Sequence, residues 1–236
     1  MRDGLTKVLA GVRSALERKP HVSVDHLTAS PNLPVTPSGR RTELISQFAH
    51  ELERVNGHFM GVMSLHDVYR KLESLTDEIR PRSVAIGEAV ALDFGPIMKT
   101  LERSGIEVVR CSGGNDQQLR ILRERLANCD LTVVEAHYAI AATGTLVVVA
   151  TPQRPSSLTL LPPANFLVVE AKRIVPDMAA VINALGAGII VKHRVAFITG
   201  PSRTADIEKR IVLGVHGPKD VYAAAVWSGE QDGSYS

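Results

Sequence analysis

The sequence contains little of what several large classes of protein need. Its two cysteines are too few for a disulfide scaffold, an all-cysteine zinc site or an iron–sulfur cluster held by four thiolates of one chain. Aromatic residues make up only 4% of the chain, which disfavours base-stacking platforms for nucleic acid. The 27 basic and 25 acidic residues nearly cancel, so the excess positive charge of a nucleic-acid binder is missing. We therefore expect no metal site, no cofactor in this chain and no nucleic-acid partner.

Long apolar runs are also missing. A membrane helix needs about 20 consecutive apolar residues. The best candidate, Gly186–Ile198, is interrupted by Lys192, His193 and Arg194. Charged residues likewise break up the N-terminal segment, where a signal peptide would need an apolar core. We expect a cytoplasmic protein without a membrane span.

The composition that remains is typical of a globular protein with a sizeable core, since 44% of the 236 residues are hydrophobic and 22% are charged. Residues 3–18 carry apolar side chains at helical spacing, and prolines recur between residues 20 and 37. We predict an amphipathic helix and a Pro-rich linker over 1–38, an α/β domain over 39–228 and a flexible tail over 229–236. The apolar stripe of the first helix needs a partner surface, on the same subunit or in a homo-oligomer.

The middle of the chain alternates helical and strand-like patterns. Helices are expected at 40–56, 64–79, 96–103 and 116–128, and strands at 84–87, 107–110, 131–135, 145–151, 166–170, 195–199 and 221–226. Several of these strands are apolar on both faces, which indicates a sheet covered on both sides. Alternating units followed by clustered strands favour a mixed, mostly parallel sheet with an antiparallel portion.

The first segment that could carry chemistry is Thr143-Gly144-Thr145, which leads into a buried strand. Gly144 would permit a positive φ or the close approach of a ligand. The simpler interpretation is a tight turn whose threonines satisfy local backbone groups, and these residues alone favour it.

The second segment follows the predicted strand at 195–199. It contains Gly200, Ser202, Arg203, Thr204 and Asp206. Ser202 could cap a short helix whose free N–H groups attract an anion, and Arg203 could add a bidentate contact to a carboxylate or phosphate. Asp206 would then pair with Arg203 or contact the ligand. A capped helix with a solvated arginine is an equally good interpretation.

The third segment places His216 between Gly214 and Gly217 in a compact loop. Histidine is the side chain most readily poised for proton transfer near neutral pH. A single loop histidine is, however, more often structural. If the three segments converge, we expect a ligand site with Arg203 as the anion contact and His216 as the catalytic proton-transfer group.

Five motifs along the chain carry a family resemblance. They are Tyr138-Ala-Ile-Ala-Ala-Thr-Gly-Thr-Leu-Val, Ser157-Leu-Thr-Leu-Leu-Pro-Pro, Ile174-Val-Pro, Ile198-Thr-Gly-Pro-Ser-Arg-Thr-Ala-Asp-Ile-Glu and Leu213-Gly-Val-His-Gly-Pro. In this order they make the chain similar to LUD-domain proteins over roughly residues 40–227, and most similar to the lactate utilization protein C group of that family.

The resemblance implies a three-layer α/β/α fold like that of the NagB/RpiA/CoA-transferase superfamily. It also implies a part in oxidising L-lactate to pyruvate with lactate utilization proteins A and B, which would hold the iron–sulfur clusters. One position departs from the family pattern Ala-Glu-Thr-Gly-Thr, because Ala142 stands where the glutamate is usual. Glu135 could compensate only if the fold brings it close.

Two other functions stay open. The chain could be an independent enzyme of this superfamily, similar to folate cyclo-ligases or to CoA transferases and isomerases, that binds an anionic substrate. It could also be a structural scaffold for its partners. Fold alone does not decide between these functions.

Overall fold

The computed structural model describes residues 38–205, 211–213 and 217–227, with backbone alone at 38, 187, 191–192, 203–205 and 211–213. The predicted N-terminal helix, the linker up to residue 37 and the tail over 229–236 lie outside the described residues. So do three of the candidate site residues, Asp206, Gly214 and His216.

Helices and strands alternate through the first two thirds of the described chain. The helices are α1 (Ser38–Arg54), α2 (Leu65–Ile79), α3 (Gly95–Arg103), α4 (Asp116–Ala127), α5 (Ser157–Leu160) and α6 (Met178–Lys192, interrupted at Gly186). The strands are β1 (His58–Met63), β2 (Ser83–Ile86), β3 (Glu107–Arg110), β4 (Leu131–Glu135), β5 (Tyr138–Ile140), β6 (Thr145–Val149), β7 (Ala164–Glu170), β8 (Ile174–Val175), β9 (Val195–Ile198), β10 (Arg203–Ala205), β11 (Ile211–Leu213) and β12 (Asp220–Val226). Two 3-10 turns, Ala141–Thr143 and Ala171–Arg173, join β5 to β6 and β7 to β8.

A six-stranded sheet forms the centre, in the order β1-β12-β7-β4-β2-β3, and every neighbouring pair in it is parallel. The antiparallel strands do not belong to it. A separate sheet has the order β8-β5-β6-β9, in which β6 is antiparallel to β5 and β9 whereas β8 is parallel to β5, and β10 and β11 form an antiparallel pair of their own. The predicted α/β class with a mostly parallel sheet is confirmed, and the antiparallel portion is a second sheet.

Successive residues of the central strands enter two different cores, because side chains of a strand alternate between its faces. Val84 and Ile86 contact the apolar faces of α2 and α3, whereas Ala85 between them faces the core that contains α1, α4 and the second sheet. The sheet is therefore covered on both sides, as the apolar strand pattern predicts.

Local signals set the helix boundaries close to the predicted ones. The side chain of Ser64 accepts a hydrogen bond from the backbone N–H of Asp67 and starts α2, and Arg80 ends that helix with a left-handed backbone. Asn115 and Gln118 form a reciprocal capping box at the start of α4. Such caps satisfy backbone N–H groups that the first helical turn leaves unpaired.

Two predictions about local structure were wrong or incomplete. No strand was predicted over residues 58–63, where the structure has β1 with the sequence HFMGVM. In the structure Gly61 has a φ of 107° and lies at the irregularity where β1 shifts register against β12. The short helix expected at Ser202 is absent, because Arg203–Ala205 instead pairs with Ile211–Leu213 as the strands β10 and β11.

Helix α1 contributes apolar side chains to the core on the side of the central sheet that Ala85 faces. Phe48 is completely buried and meets the ring of Phe59 edge-on at 5.7 Å between centroids. We predict that Phe48→Ala lowers the free energy of unfolding by about 3–5 kcal/mol, because a large buried ring leaves a cavity. Urea titration followed by circular dichroism measures this. The control is Gln47→Ala at the adjacent, exposed position, which should change the free energy of unfolding by less than about 0.5 kcal/mol. Equal losses of stability in the two variants would contradict the role of Phe48 in the core.

Candidate functional site

Helix α1 lies across the turns that connect the strands of the second sheet. Its backbone approaches Gly144 so closely that a Cβ atom at this position would lie 2.2 Å from the backbone nitrogen of Leu52. Gly144 also has a φ of 61°, in the left-handed region. Only glycine fits such a position, so the packing of α1 by itself accounts for Gly144.

Gly200 repeats this arrangement at the end of β9. Its φ is 74°, and a Cβ atom would lie 2.7 Å from the carbonyl oxygen of Val55, immediately after α1. The two glycines thus bring the turn before β6 and the turn after β9 under the same end of one helix.

A chain of three threonine hydroxyls joins these two turns. The Oγ1 atom of Thr145 lies 2.7 Å from that of Thr143 and 2.7 Å from that of Thr199. Thr145 is buried, whereas Thr143 and Thr199 are exposed. Three hydroxyls carry three donor protons, and two bonds use two of them. One O–H donor and several acceptor lone pairs therefore remain for a polar ligand or for water.

The second and third predicted segments contact each other. The backbone N–H of Ser202 donates to the carbonyl oxygen of Pro218 at 2.8 Å, and a Cβ atom on Gly217 would lie 3.0 Å from Cβ of Ser202. The residues after Ser202, Arg203–Ala205, form strand β10 and not the first turn of a helix. The predicted anion site made of free N–H groups at a helix start is therefore wrong in that form.

The candidate residues divide into three groups. The structure brings Thr143, Gly144 and Thr145 close to Thr199, which precedes Gly200, and it separately places Ser202 against Gly217. It gives only the backbone course of Arg203 and Thr204, in β10. Asp206, Gly214 and His216 fall in the stretches that are not described. Whether the assembled residues bind a ligand stays a prediction.

Ala142, at the position where the family pattern has glutamate, is exposed, and its N–H donates to the carbonyl oxygen of Pro176 at 3.0 Å. Glu135 does not replace the missing carboxylate as a free group. Its Oε2 accepts from the N–H groups of Val90, Ala91 and Leu92 at 2.7–3.0 Å. This buried carboxylate holds the loop after β2 in place.

A second buried carboxylate, which the sequence analysis missed, lies at the end of the neighbouring strand β7. Glu170 receives Nε of Arg173 at 2.5 Å and Nζ of Lys172 at 2.9 Å. The Arg173 guanidinium also lies 6.0 Å from the ring centre of Tyr138. The hydroxyl of Tyr138 is buried without a hydrogen-bond partner in the described part of the chain, and burial raises the pKa of Tyr138. The available sequence signal was a glutamate that directly follows the apolar run Phe166–Val169.

A buried histidine and arginine form the third polar group. Nδ1 of His137 lies 3.2 Å from the N–H of Val149, and its Nε2 lies 3.1 Å from a guanidinium nitrogen of Arg154. Burial lowers the pKa of His137 well below its ordinary value, and the charges of Arg154 and Arg173 lower it further. Nδ1 accepts the N–H of Val149, so the single N–H of the neutral ring is on Nε2, and a second proton would remove that acceptor. His137 is therefore held neutral.

The cysteines are poorly placed to hold a metal. Cys111 and Cys129 are both buried free thiols, and burial raises the pKa of Cys111 to about 12. Metals bind the thiolate form. Within the described ranges, no three His, Cys, Asp or Glu side chains lie together in a way that could hold a metal ion. No helix in the same ranges has the length and hydropathy needed to cross a bilayer.

The sequence profile of the LUD domain matches residues 45–226, which includes both sheets and all the assembled threonines. The chain belongs to the LUD domain family. This LUD domain is 28% identical over 151 residues to lactate utilization protein C of Halalkalibacterium halodurans, with 62% of this chain and 64% of that protein aligned. It is 27% identical over 187 residues to lactate utilization protein C of Bacillus pumilus, with 75% of this chain and 76% of that protein aligned.

Among solved structures, the LUD domain is similar to a DUF162 family protein from Deinococcus radiodurans. The TM-score is 0.56 at 18% identity, and the match covers 79% of this chain and 98% of that one. This likeness supports the α/β fold.

The close approach of α1 generates the first prediction from the site. We expect Gly144→Ala to lower the free energy of unfolding by about 3 kcal/mol or more, since it adds both backbone strain and a clash with the Leu52 backbone. Chemical denaturation measures the loss. Gly188→Ala is the matched control, because a Cβ atom there meets nothing within 4 Å. It should leave stability unchanged or raise it by up to about 1 kcal/mol.

The second prediction from the site concerns the buried His137. His137 has a lowered pKa in the folded state, so the unfolded chain binds a proton that the folded chain excludes. Stability from this residue is present above its ordinary pKa of about 6.5 and falls as the pH drops below it, by up to about 1.4 kcal/mol per pH unit. His137→Gln should flatten this part of the stability profile between pH 7 and pH 5. The exposed His50→Gln should not, and parallel profiles for His137→Gln and the unchanged protein would refute the assignment.

Proposed function

We propose that this LUD domain protein takes part in the utilization of L-lactate and supports its oxidation to pyruvate together with lactate utilization proteins A and B. The family membership carries the proposal, supported by two relatives named lactate utilization protein C. Oxidation of lactate to pyruvate removes two electrons and two protons, so an electron acceptor is required. We assign the iron–sulfur clusters that accept the electrons to the partners.

Within that division of labour, this chain binds the small carboxylate. The observation that supports such a role is the hydroxyl chain of Thr143, Thr145 and Thr199, which leaves a donor and acceptors at exposed ends. Lactate offers a hydroxyl and a carboxylate, which pair with such groups. Arg203, which begins β10, is the proposed cation for the carboxylate, and His216 is the proposed proton-transfer group.

The alternative of an independent enzyme has less support. A CoA-transferase-like mechanism needs a free glutamate nucleophile, whereas position 142 is alanine and the Glu135 carboxylate is occupied by backbone N–H groups. A carboxylate that accepts several N–H bonds is stabilised in place and is a weak nucleophile.

The test is a deletion of the gene in its source organism followed by growth on different carbon sources. We expect growth on L-lactate to be lost and growth on pyruvate to be kept, because the defect precedes pyruvate. In a reconstituted mixture with the two partners, leaving this protein out should stop lactate oxidation, and adding it back should restore the oxidation. Unchanged lactate oxidation without it would overturn the proposal.

The hydroxyl chain is tested in the same strain with a substitution that keeps side-chain volume. Thr145→Val removes the central hydroxyl, and we expect complementation to restore lactate oxidation at a rate about two- to tenfold lower, as for the loss of one hydrogen bond. Thr100→Val is the control, since that hydroxyl bonds only the carbonyl of Pro96 in its own helix. Equal rates of lactate oxidation in the two variants would show that the hydroxyl chain plays no part in the proposed function.

A further inference from the structure

A groove lies at the opposite ends of the strands that carry the threonine chain. Thr145 begins β6 and Thr199 follows β9, whereas Ala150 follows β6 and Arg194 precedes β9 at the groove. The N–H of Ala150 donates to the carbonyl oxygen of Arg194 at 2.8 Å, which fixes these two ends together. The groove has a volume of about 540 Å³, in the range usual for small-molecule sites.

Most of its wall is apolar. It is formed by two prolines and four leucines, Pro152, Pro155, Leu119, Leu122, Leu160 and Leu161. Leu160 is 51% exposed and Leu161 is 42% exposed, although they end and follow the short helix α5, which packs on the central sheet. Exposed leucines beside a concave apolar wall are typical of a surface that contacts a ligand.

Two buried hydroxyls in the groove wall are unpaired. Thr151 is 5% exposed, and neither its Oγ1 nor the Oγ of Ser157 has a hydrogen-bond partner among the residues that the structure describes. Both residues line the groove. An unpaired buried hydroxyl costs free energy, which a ligand that supplies an acceptor would recover.

The charged groups at the groove have one sign. They are Arg123 on α4 and Arg194, and none of the described lining residues is acidic. Arg123 and Arg194 are exposed, and neither forms an ion pair with a described residue. The groove therefore combines an apolar wall, two unpaired hydroxyls and two available guanidinium groups.

We propose that this groove binds an organic anion of medium size, a carboxylate with an apolar body. The carboxylate contacts Arg123 and Arg194, and the apolar body lies on the leucines and prolines. Lactate has only three carbons and cannot cover this wall, so the ligand is a different one from the proposed substrate. The site and its test are independent of the proposed function.

The probes are octanoate, 2-naphthoate and the neutral octanamide, titrated calorimetrically into the full chain. We expect octanoate to bind at least about tenfold more tightly than octanamide, as charge-assisted hydrogen bonds imply. Arg123→Gln and Arg194→Gln should each weaken octanoate about tenfold and leave octanamide unchanged. Arg120→Gln, a matched change on the same helix outside the groove lining, should have no effect.

Thr151→Val tests the buried hydroxyl separately. It keeps the side-chain volume, so we expect an unchanged or higher unfolding temperature without a probe and weaker binding of octanoate. Three results would overturn the proposal: neither carboxylate binds up to about 10 mM, octanoate and octanamide bind equally, or Arg120→Gln weakens octanoate as much as Arg194→Gln does.

Discussion

The contact on which the second half of this fold depends is the approach of the α1 backbone to Gly144 and Gly200. At both glycines a Cβ atom would lie within 3 Å of that backbone, at Leu52 and Val55 respectively. Such an approach is possible only without a side chain. It draws the turns at one end of β6 and β9 under one helix, and the hydroxyls of Thr145 and Thr199 then reach hydrogen-bonding distance. The polar site and the core packing are consequences of the same contact.

The buried charges at the carboxyl ends of the central strands are neutralised in two different ways. Glu135 is surrounded by N–H groups of one loop, and Glu170 by the cations of Lys172 and Arg173. A buried carboxylate without such partners would cost several kcal/mol. Because each carboxylate is committed to these contacts, neither is a ready general base. This favours a chain that positions a ligand over one that carries a complete catalytic set by itself.

Patterns of local origin could be predicted from the sequence, and those that depend on distant contacts could not. The helix boundaries at Ser64 and Asn115 follow from capping side chains, and the central strands other than β1 follow from short segments rich in apolar residues. By contrast, nothing near Gly144 in the sequence indicates that α1 packs on it, some ninety residues away. The strand at Arg203 was mistaken for a helix because Gly-Pro-Ser is also a helix-start signal.

The polar residues of the site likewise divide into those with a local sequence signal and those that depend on distant contacts. Thr143 and Thr145 were recognisable because hydroxyls and glycine cluster before a strand, whereas Thr199 joins them, and Glu170, Arg173 and His137 form their contacts, only in the folded chain. His137 also shows why residue type alone is a poor guide to acid–base function. A buried histidine that accepts a backbone N–H and lies beside arginine charges is held neutral by its surroundings. Proton transfer in the proposed lactate site must therefore come from a residue outside this buried group, which is the part assigned to His216.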